Sequence, residues 1–279
     1  MGIAVTDDGK RLYVADYGRA AVFRLDLEFK TFEVFAPDEI LRSAFNVALD
    51  DEESVYLTDP VGRRVVVFDR TGRKLRSFGG DALERPTGLA IDRKRRILYV
   101  ADGSRQDSPN HRVLAYTPEG KLLRQVGRGR GSGDGEFSFP TYLAVDQQGH
   151  LYVADTLNFR IQVFDAEGQF LQAYGEAGTQ PGTFTRVKGL AFDGFGNLHA
   201  VEGEHAVIQV FNRSFTLLVY FAGKAQRLEY LNLPGPIAID RARNLIYVGE
   251  QDNPRLNVYE LINTTAADSY EAGKAPGSR

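Results

Sequence analysis

The hydrophobic pattern of this chain is clearest over residues 140–165, where three short runs alternate apolar and polar side chains. The runs cover residues 143–145, 151–154 and 161–164, and a fourth run covers residues 169–174. Short polar segments containing Gly, Gln or Asn separate them. A period of two is typical of half-buried strands, and such polar breaks are typical of tight turns. The pattern therefore predicts four consecutive antiparallel strands.

The same unit recurs along the chain. An acidic residue closes the second strand of each copy, and these acids lie 43, 43, 53, 47 and 48 residues apart. Four-stranded copies of this length are typical of a β-propeller, whose blades bury their faces against one another. A closed ring also protects strand edges better than an open solenoid does. We therefore predict an all-β, six-bladed propeller with blades at about residues 1–39, 40–85, 86–139, 140–186, 187–233 and 234–262. The acids are Asp16, Asp59, Asp102, Asp155, Glu202 and Glu250.

The fourth copy carries the pattern P-x-x-x-A-V-D-x-x-G-x-x-Y-V-A-D-x-x-N-x-R-I-Q-V-F-D from Pro140 to Asp165. This pattern resembles the NHL repeat, and the resemblance extends over about residues 2–262. It implies a six-bladed propeller but no single function, because function resides in sites grafted onto a fold. The partial matches in the third and sixth copies are Pro86, Gly88, Asp92, Asp102, Asn110, Arg112, Asp240, Asn253 and Arg255.

The sixth copy has three recognisable strands. Residues 263–268 follow them and are rich in Thr, Ala and Asp, which makes them poor strand material. We predict that the last blade is one strand short or that residues 263–268 pair only weakly. Residues 269–279 are interpreted as a flexible tail.

Composition removes several classes of site. The chain has no cysteine, so it has no disulfide and no thiolate metal site. Its formal charge of -3 gives no bulk affinity for nucleic acid, although a local basic patch is compatible with it. The longest apolar-rich run, residues 215–222, is too short to span a membrane. We predict a monomer without membrane insertion and favour an extracytoplasmic compartment, periplasmic or secreted.

An arginine follows the closing acid at a fixed distance in several copies. The structural interpretation is an ion pair that pins the turn between the second and third strands of each blade. The alternative is a ring of arginines that binds anions. Because the pair repeats with the fold, the structural interpretation is preferred. Three pairs are five residues apart, Asp59 with Arg64, Asp155 with Arg160 and Glu250 with Arg255, and Asp102 pairs with Arg112 across an insertion of five.

No catalytic constellation is apparent in the sequence. The four histidines are scattered, and one aspartate per blade does not bring several oxygens to a single ion, so we predict no metal and no cofactor. An amidating lyase with NHL-like repeats carries zinc-binding histidines just before its first strands. Here those positions are Phe45, Thr87, Thr141, Lys188 and Gly235. A lactonase-like hydrolase would need inward acids and amides there, and only Asn46 fits.

The glycine-rich segment 127–135 has three interpretations. It could cradle a phosphate, bind RNA through its arginines, or serve as a loop between blades. Segment 175–184 has the same form without the arginines, which favours the loop.

The remaining candidates lie on the face formed by the loops that enter first strands and the loops that join second to third strands. Their mixture of aromatic, amide and charged groups suits binding. We predict a non-catalytic binding or scaffold propeller for a protein, a peptide or a small polar ligand. Alternatives are a metal-dependent hydrolase or lyase, and a binder of single-stranded RNA that uses Arg105, Arg112, Arg128, Arg130 and Lys188. The predicted site residues are Phe45, Asn46, Thr87, Arg105, Gln106, Asp107, Arg128, Arg130, Thr141, Tyr142, Lys188, Glu202, Glu204 and His205.

Overall fold

Each sequence repeat forms one antiparallel sheet in the computed structural model, which describes residues 1–103, 105–222, 231, 233–251 and 255–262. The strands of the first three sheets are β1 (Gly2–Val5), β2 (Arg11–Asp16), β3 (Ala21–Asp26), β4 (Thr31–Phe35), β5 (Val47–Leu49), β6 (Val55–Asp59), β7 (Arg64–Phe68), β8 (Lys74–Gly79), β9 (Pro86–Asp92), β10 (Ile97–Gly103), β11 (His111–Tyr116) and β12 (Leu122–Val126). The strands of the last three are β13 (Pro140–Val145), β14 (Leu151–Asp155), β15 (Arg160–Phe164), β16 (Phe170–Tyr174), β17 (Val187–Phe192), β18 (Leu198–Glu202), β19 (Val207–Phe211), β20 (Leu217–Ala222), β21 (Pro234–Asp240), β22 (Leu245–Glu250) and β23 (Leu256–Glu260). Short 3₁₀ helices lie at Gly80–Ala82 and Thr156–Asn158.

The six sheets, here called blades one to six, form a closed ring. Each blade pairs its strands in chain order. The first strands pack against one another around a central channel, and β1 contacts both β5 and β21, which closes the ring. The predicted all-β, six-bladed propeller is confirmed. Because each first strand has a paired neighbour on one side only, its other edge lines the channel.

The ring has two faces, named by the connections that they carry. The loop face carries the loops that enter first strands and the loops that join second to third strands. The turn face carries the turns that join first to second strands and third to fourth strands. Chain direction reverses at every connection, so the two kinds of connection alternate between the faces.

The hydrophobic core is divided among the spaces between blades. Six clusters of buried residues each join two neighbouring blades, and the sixth joins blade six to blade one. This arrangement explains the sequence pattern, because both faces of a blade are buried and apolar residues of either parity along a strand find a partner. Burial of apolar surface between blades is therefore what holds the ring together.

One buried position in the second strands shows how the repeat tolerates exchange. Tyrosine occupies it in blades one, two, three, four and six, and His199 occupies it in blade five. The Oη of Tyr56 donates to Asp50 Oδ2 at 3.1 Å, and Nε2 of His199 lies 3.2 Å from Asp193 Oδ2. The histidine therefore takes the buried place of the tyrosines and contacts the aspartate of the first turn as Tyr56 does.

The repeated aspartates after the first strands stabilise the turns of the turn face. Asp146 Oδ1 accepts hydrogen bonds from the amides of Gln148 and His150, both at 2.9 Å. Asp50, Asp193 and Asp240 accept equivalent bonds. The side chain thus satisfies turn amides, as the sequence predicts for aspartate at such a position.

Blade six is the exception to the four-strand pattern. Within the part of the chain that the structure describes, its sheet contains β21, β22 and β23 only, as predicted. The predicted weak pairing of residues 263–268 and the predicted tail at 269–279 lie outside the described residues. In blade five, the apolar run of residues 215–221 predicts a fourth strand that begins at Phe215, and this start is wrong because β20 begins at Leu217. Phe215 has a positive φ of 56° in the preceding turn and packs into the core.

Candidate functional site

The loop face is built on the buried acids that close the second strands. Asp155 accepts hydrogen bonds from the Ser138 amide at 2.6 Å, from Asn158 Nδ2 at 2.9 Å and from Arg160 Nε at 2.9 Å. Ser138 belongs to the loop that enters the blade, and Asn158 and Arg160 belong to the loop and strand that follow. One carboxylate therefore ties together the two connections that the blade contributes to the loop face.

The arginine of each pair extends the same clamp. Arg64, Arg112 and Arg160 place Nε 3.1, 3.6 and 2.9 Å from their acids. A terminal nitrogen of each also donates to a carbonyl of the entering loop. The acceptors are Ile40 O at 2.9 Å, Ala82 O at 3.0 Å, and both Gly133 O at 2.7 Å and Glu136 O at 3.0 Å.

The pair in blade six is more open than the others. Arg255 lies 3.0 Å from Glu250, but its side chain is 51% exposed, against 13% for Arg160.

The glycine-rich segment is held by its main chain. Gln162 accepts from the Gly135 amide at 2.9 Å and donates to Glu136 O at 2.7 Å. In the next blade, Gln209 makes the same two bonds, to the Gly182 amide and to Thr183 O. Parallel bridges, Arg130 with Phe137 and Ala177 with Phe184, complete the likeness. The two segments are therefore equivalent loops between blades, and their side chains are free to differ.

Several predicted site residues are buried inside this framework. Thr87 donates from Oγ1 to Ala101 O and to Pro140 O, which links blades three and four. Asn46 is buried, and its main-chain N–H donates to Thr58 Oγ1. Glu202 is buried and accepts the amides of Arg186 and His205, both at 2.6 Å. These side chains shape the loop face from below rather than facing a partner.

Tyr142 lies at the centre of the ring, where blades one, two and four meet. Its Oη donates to Met1 O at 3.1 Å, and its ring centroid lies 5.9 Å from that of Phe45. Blades one and four face each other across the ring, so this hydrogen bond crosses the channel. Tyr17, which is 43% exposed, packs edge-on against Phe45 at 6.3 Å. Burial raises the pKa of Tyr142, which therefore stays a neutral donor at physiological pH. The three rings form an aromatic floor over the channel.

Lys188 lies beside this floor. Its Nζ donates to Gln251 Oε1 at 2.8 Å, which links blades five and six. Burial lowers the pKa of Lys188, and nearby Arg186 lowers it further, while Glu204 and Glu202 oppose the shift. The lysine is thus a partly desolvated cation with one neutral partner, an arrangement that a negative group on a ligand would stabilise.

The other predicted residues lie farther out on the loop face. Arg105, Gln106 and Asp107 are exposed, and the carboxylate of Asp107 lies 3.8 Å from Arg105. Arg128 and Arg130 are exposed on the glycine-rich loop, and Arg128 also donates to Asp134 O. The partly exposed residues are Thr141 and His205, and Glu204 is exposed. The structure therefore brings Phe45, Tyr142 and Lys188 to the centre and distributes the rest around the rim.

Sequence reasoning missed three arginines. Arg42, Arg85 and Arg186 are exposed, and no carboxylate of the described residues lies within salt-bridge distance of them. Their amides donate to the buried acids Asp59, Asp102 and Glu202 at 3.2, 2.7 and 2.6 Å. The sequence does place an arginine before the first strand in three copies: Arg85 and Arg186 directly precede β9 and β17, and Arg42 lies five residues before β5. The predicted site included residues at the starts of the first strands and in the longer loops, but not these arginines.

No group of three or more His, Asp or Glu side chains is positioned to hold a metal ion, as far as the described ranges extend. In the same ranges, no helix has the length and apolar character that a membrane span requires.

Comparisons with known proteins identify the repeat. The NHL repeat family model matches residues 137–164, within blade four. The chain is 31% identical over 137 residues to NHL repeat-containing protein 2 of Bos taurus. The aligned region covers 43% of this chain and 18% of that protein. It is 27% identical over 267 residues to NHL repeat-containing protein 3 of Homo sapiens, covering 83% of this chain and 73% of that protein. The chain thus spans about a fifth of the first relative's length.

Solved structures agree on the fold. Virginiamycin B lyase from Staphylococcus aureus superimposes with a TM-score of 0.63 at 14% identity, covering 93% of this chain and 83% of that one. Kuenenia stuttgartiensis hydrazine synthase gives 0.69 at 13% identity, with the same coverage of each chain. At these identities the likeness shows the fold alone.

Proposed function

Because this chain is a six-bladed β-propeller of NHL repeats, we propose that it acts as a binding or scaffold protein that engages an acidic protein or peptide segment through its loop face. NHL propellers commonly mediate protein interactions, which supports the general role. The acidic character of the partner is inferred from the residues around the channel.

The observation that carries the proposal is the set of three exposed arginines, Arg42, Arg85 and Arg186, for which the described part of the chain offers no carboxylate within salt-bridge distance. They come from the loops that enter blades two, three and five, so all three belong to the loop face. Arginine and aromatic side chains are enriched at protein interfaces because they combine contact area with directional hydrogen bonds. Lys188 adds a fourth cation nearby.

The clamp beneath these arginines supports the same role. Each arginine amide is bonded to a buried carboxylate, so the main chain of the loop is held before any partner arrives. Loops that are already ordered lose less conformational entropy on binding, which favours affinity. An extended segment carrying Asp or Glu beside an aromatic residue would match the rim and the floor together.

The test uses a random peptide library displayed on phage, selected against the intact protein, followed by fluorescence polarisation with the selected peptides. We expect enrichment of Asp, Glu and aromatic residues. The triple variant R42Q/R85Q/R186Q should weaken binding at least about tenfold, since hydrogen bonds to charged groups contribute about 1.5–3 kcal/mol each. The matched control, R70Q/R73Q/R96Q, removes three charges from the turn face and should leave affinity unchanged.

Two outcomes contradict the proposal. One is a set of selected peptides that bind both triple variants equally. The other is tight binding of single-stranded RNA, weakened steeply by salt and abolished by R42Q/R85Q/R186Q, in the absence of any peptide binding. The second result would replace the peptide with RNA as the partner of the same face.

A further inference from the structure

The channel opens on the turn face into a cavity of about 680 Å³. All six blades line it, through the ends of their first strands and the turns that follow. The inner part is formed mainly by Ala, Val, Leu and Ile residues of these strands, and the mouth is formed by polar turn residues. This cavity lies at the opposite end of the channel from the loop face, so it is separate from the site proposed above.

The far end of the channel is crossed by side chains. Tyr142 of blade four bonds Met1 of blade one, and Phe45 of blade two packs against the tyrosine ring. The cavity therefore narrows inward from the turn face toward a set of rings. A ligand entering from the turn face would meet apolar walls at depth and polar groups at the mouth, which is the usual composition of a small-molecule site.

The mouth carries three cations, Arg93, Lys94 and Arg241, and four acids, Asp7, Asp92, Asp146 and Asp240. Arg241 donates from Nε to Phe192 O at 3.1 Å, and no carboxylate among the described residues lies within 4.0 Å of its guanidinium. Burial lowers the pKa of Arg241, and Arg93 lowers it further, while Asp7 and Asp193 oppose the shift. Lys94 lines the same mouth and is exposed. Arg241 is exposed, and an arginine with no carboxylate in contact among the described residues is available to pair with an anion.

Arg93 lies across the mouth and is already paired. It contacts Asp7 of blade one and Asp51 of blade two, the latter at 3.3 Å, and donates to Leu49 O at 3.1 Å. Because Arg93 belongs to blade three, these contacts draw three blades together at the mouth. Other acids nearby are occupied, since Asp240 pairs with Arg243 and Asp92 pairs with Arg95.

We propose that this cavity binds a small organic carboxylate, with its carboxylate on Arg241 and its apolar portion between the first strands. The terminal nitrogens of Arg241, which donate to no acceptor among the described residues, supply the fork that a carboxylate accepts. The apolar walls distinguish an organic acid from an inorganic oxyanion, which would gain nothing from them.

The experiment titrates the intact protein with acetate, butyrate and hexanoate, followed by NMR chemical-shift changes or calorimetry, with 1-butanol and inorganic phosphate as probes of each half of the site. We expect saturable carboxylate binding that tightens about fourfold per methylene until the cavity is filled. Butanol and phosphate should bind more weakly than butyrate.

Variants assign the site. R241Q should weaken butyrate binding about tenfold, whereas R96Q, an exposed arginine on the same face outside the mouth, should not change it. Thermal melting checks that both variants are folded. The proposal is overturned if butyrate binding is not saturable, if chain length has no effect, if phosphate binds as well as butyrate, or if R241Q binds like the parent. Binding that is lost in R42Q/R85Q/R186Q instead would place the carboxylate on the loop face and also overturn it.

Discussion

The interface between blades four and five and the interface between blades six and one both join neighbouring blades, but they differ strongly in the number of buried residues. The first holds a cluster of fourteen buried residues, with Tyr174 stacked on Phe215 at 4.7 Å and Phe184 beside them. The second, the closing seam of the ring, holds four buried residues of the described ranges, and half-buried leucines and valines surround them. The ring is therefore closed by its thinnest layer of packing.

Blade six has three strands among the described residues, and this accounts for part of the difference. Phe32 of β4 is the cross-strand partner of Leu25, and Leu25 packs into the seam. Phe32 thus faces the side on which a fourth strand of blade six would lie, and it is 74% exposed. At the equivalent positions of blades four and five, Phe170 and Leu217 are only partly exposed. The seam therefore closes the ring although it contains little buried core.

We expect the largest effect on stability from the loss of a core aromatic residue between blades four and five. Phe184→Ala should lower the free energy of unfolding by about 3–5 kcal/mol, because a fully buried phenyl ring leaves a cavity. Leu12→Ala in the seam should cost about 2 kcal/mol, since sparse surroundings relax more easily. Urea denaturation of both variants gives the comparison. Equal losses would mean that the two interfaces are equally well packed.

The ion-pair clamp offers a matched test in blades four and six. Arg160→Met should cost about 3 kcal/mol, because it leaves the buried Asp155 carboxylate short of its cation. Arg255→Met should cost less than about 1 kcal/mol, because its side chain is half exposed. The measurement is again urea denaturation at neutral pH. A loss for Arg255→Met as large as that for Arg160→Met would contradict the structural difference between the two blades.

Hydrogen exchange should resolve the seam without any substitution. We expect amides of β1, β21 and β22 to open at a lower free energy than amides of β14 and β18, by about 1–2 kcal/mol, since local opening follows local packing. Exchange measured by mass spectrometry on peptic fragments is sufficient. Uniform protection around the ring would show that it opens only as a whole.

The smallest expected effect is on pH dependence. Although burial opposes the shift, hydrogen bonds from His199 and Asn197 hold the pKa of Asp193 below its ordinary value of 3.8. The stabilisation is present above that value and is lost as the pH falls through the lower folded pKa. Asp193→Asn should therefore flatten the acid limb of the stability curve below about pH 4. Parallel acid limbs for parent and variant would exclude this role.

Much of the fold followed from the sequence because the repeat encodes it at every level. The spacing of the closing acids predicted the length of each copy, and the alternation of apolar and polar residues predicted the strands. The composition of residues 263–268 predicted a last blade with three strands. The start of β20 was missed because Phe215 reads as a strand residue by propensity. Its positive φ is set by the turn and by the aromatic cluster that receives its ring, neither of which a local pattern contains.

The candidate site was less accessible to sequence reasoning. Residues at the starts of first strands were selected because they lie near the axis, yet Thr87 and Asn46 turn out to be buried between blades. Their side chains depend on how neighbouring blades approach, which no single repeat reveals. Arg42, Arg85 and Arg186 lie in the loops before the first strands and are exposed. The cavity of the turn face needed all six blades in place before it could be recognised.

The manner in which Asn158, Arg160 and Gln162 hold the glycine-rich loop has a consequence for how such a protein acquires new partners. Their bonds to this loop reach peptide carbonyls and amides, so the residues displayed there can be exchanged without loosening the blade below. Binding specificity and stability therefore depend on different parts of the repeat, and a change of binding partner does not require a destabilised blade.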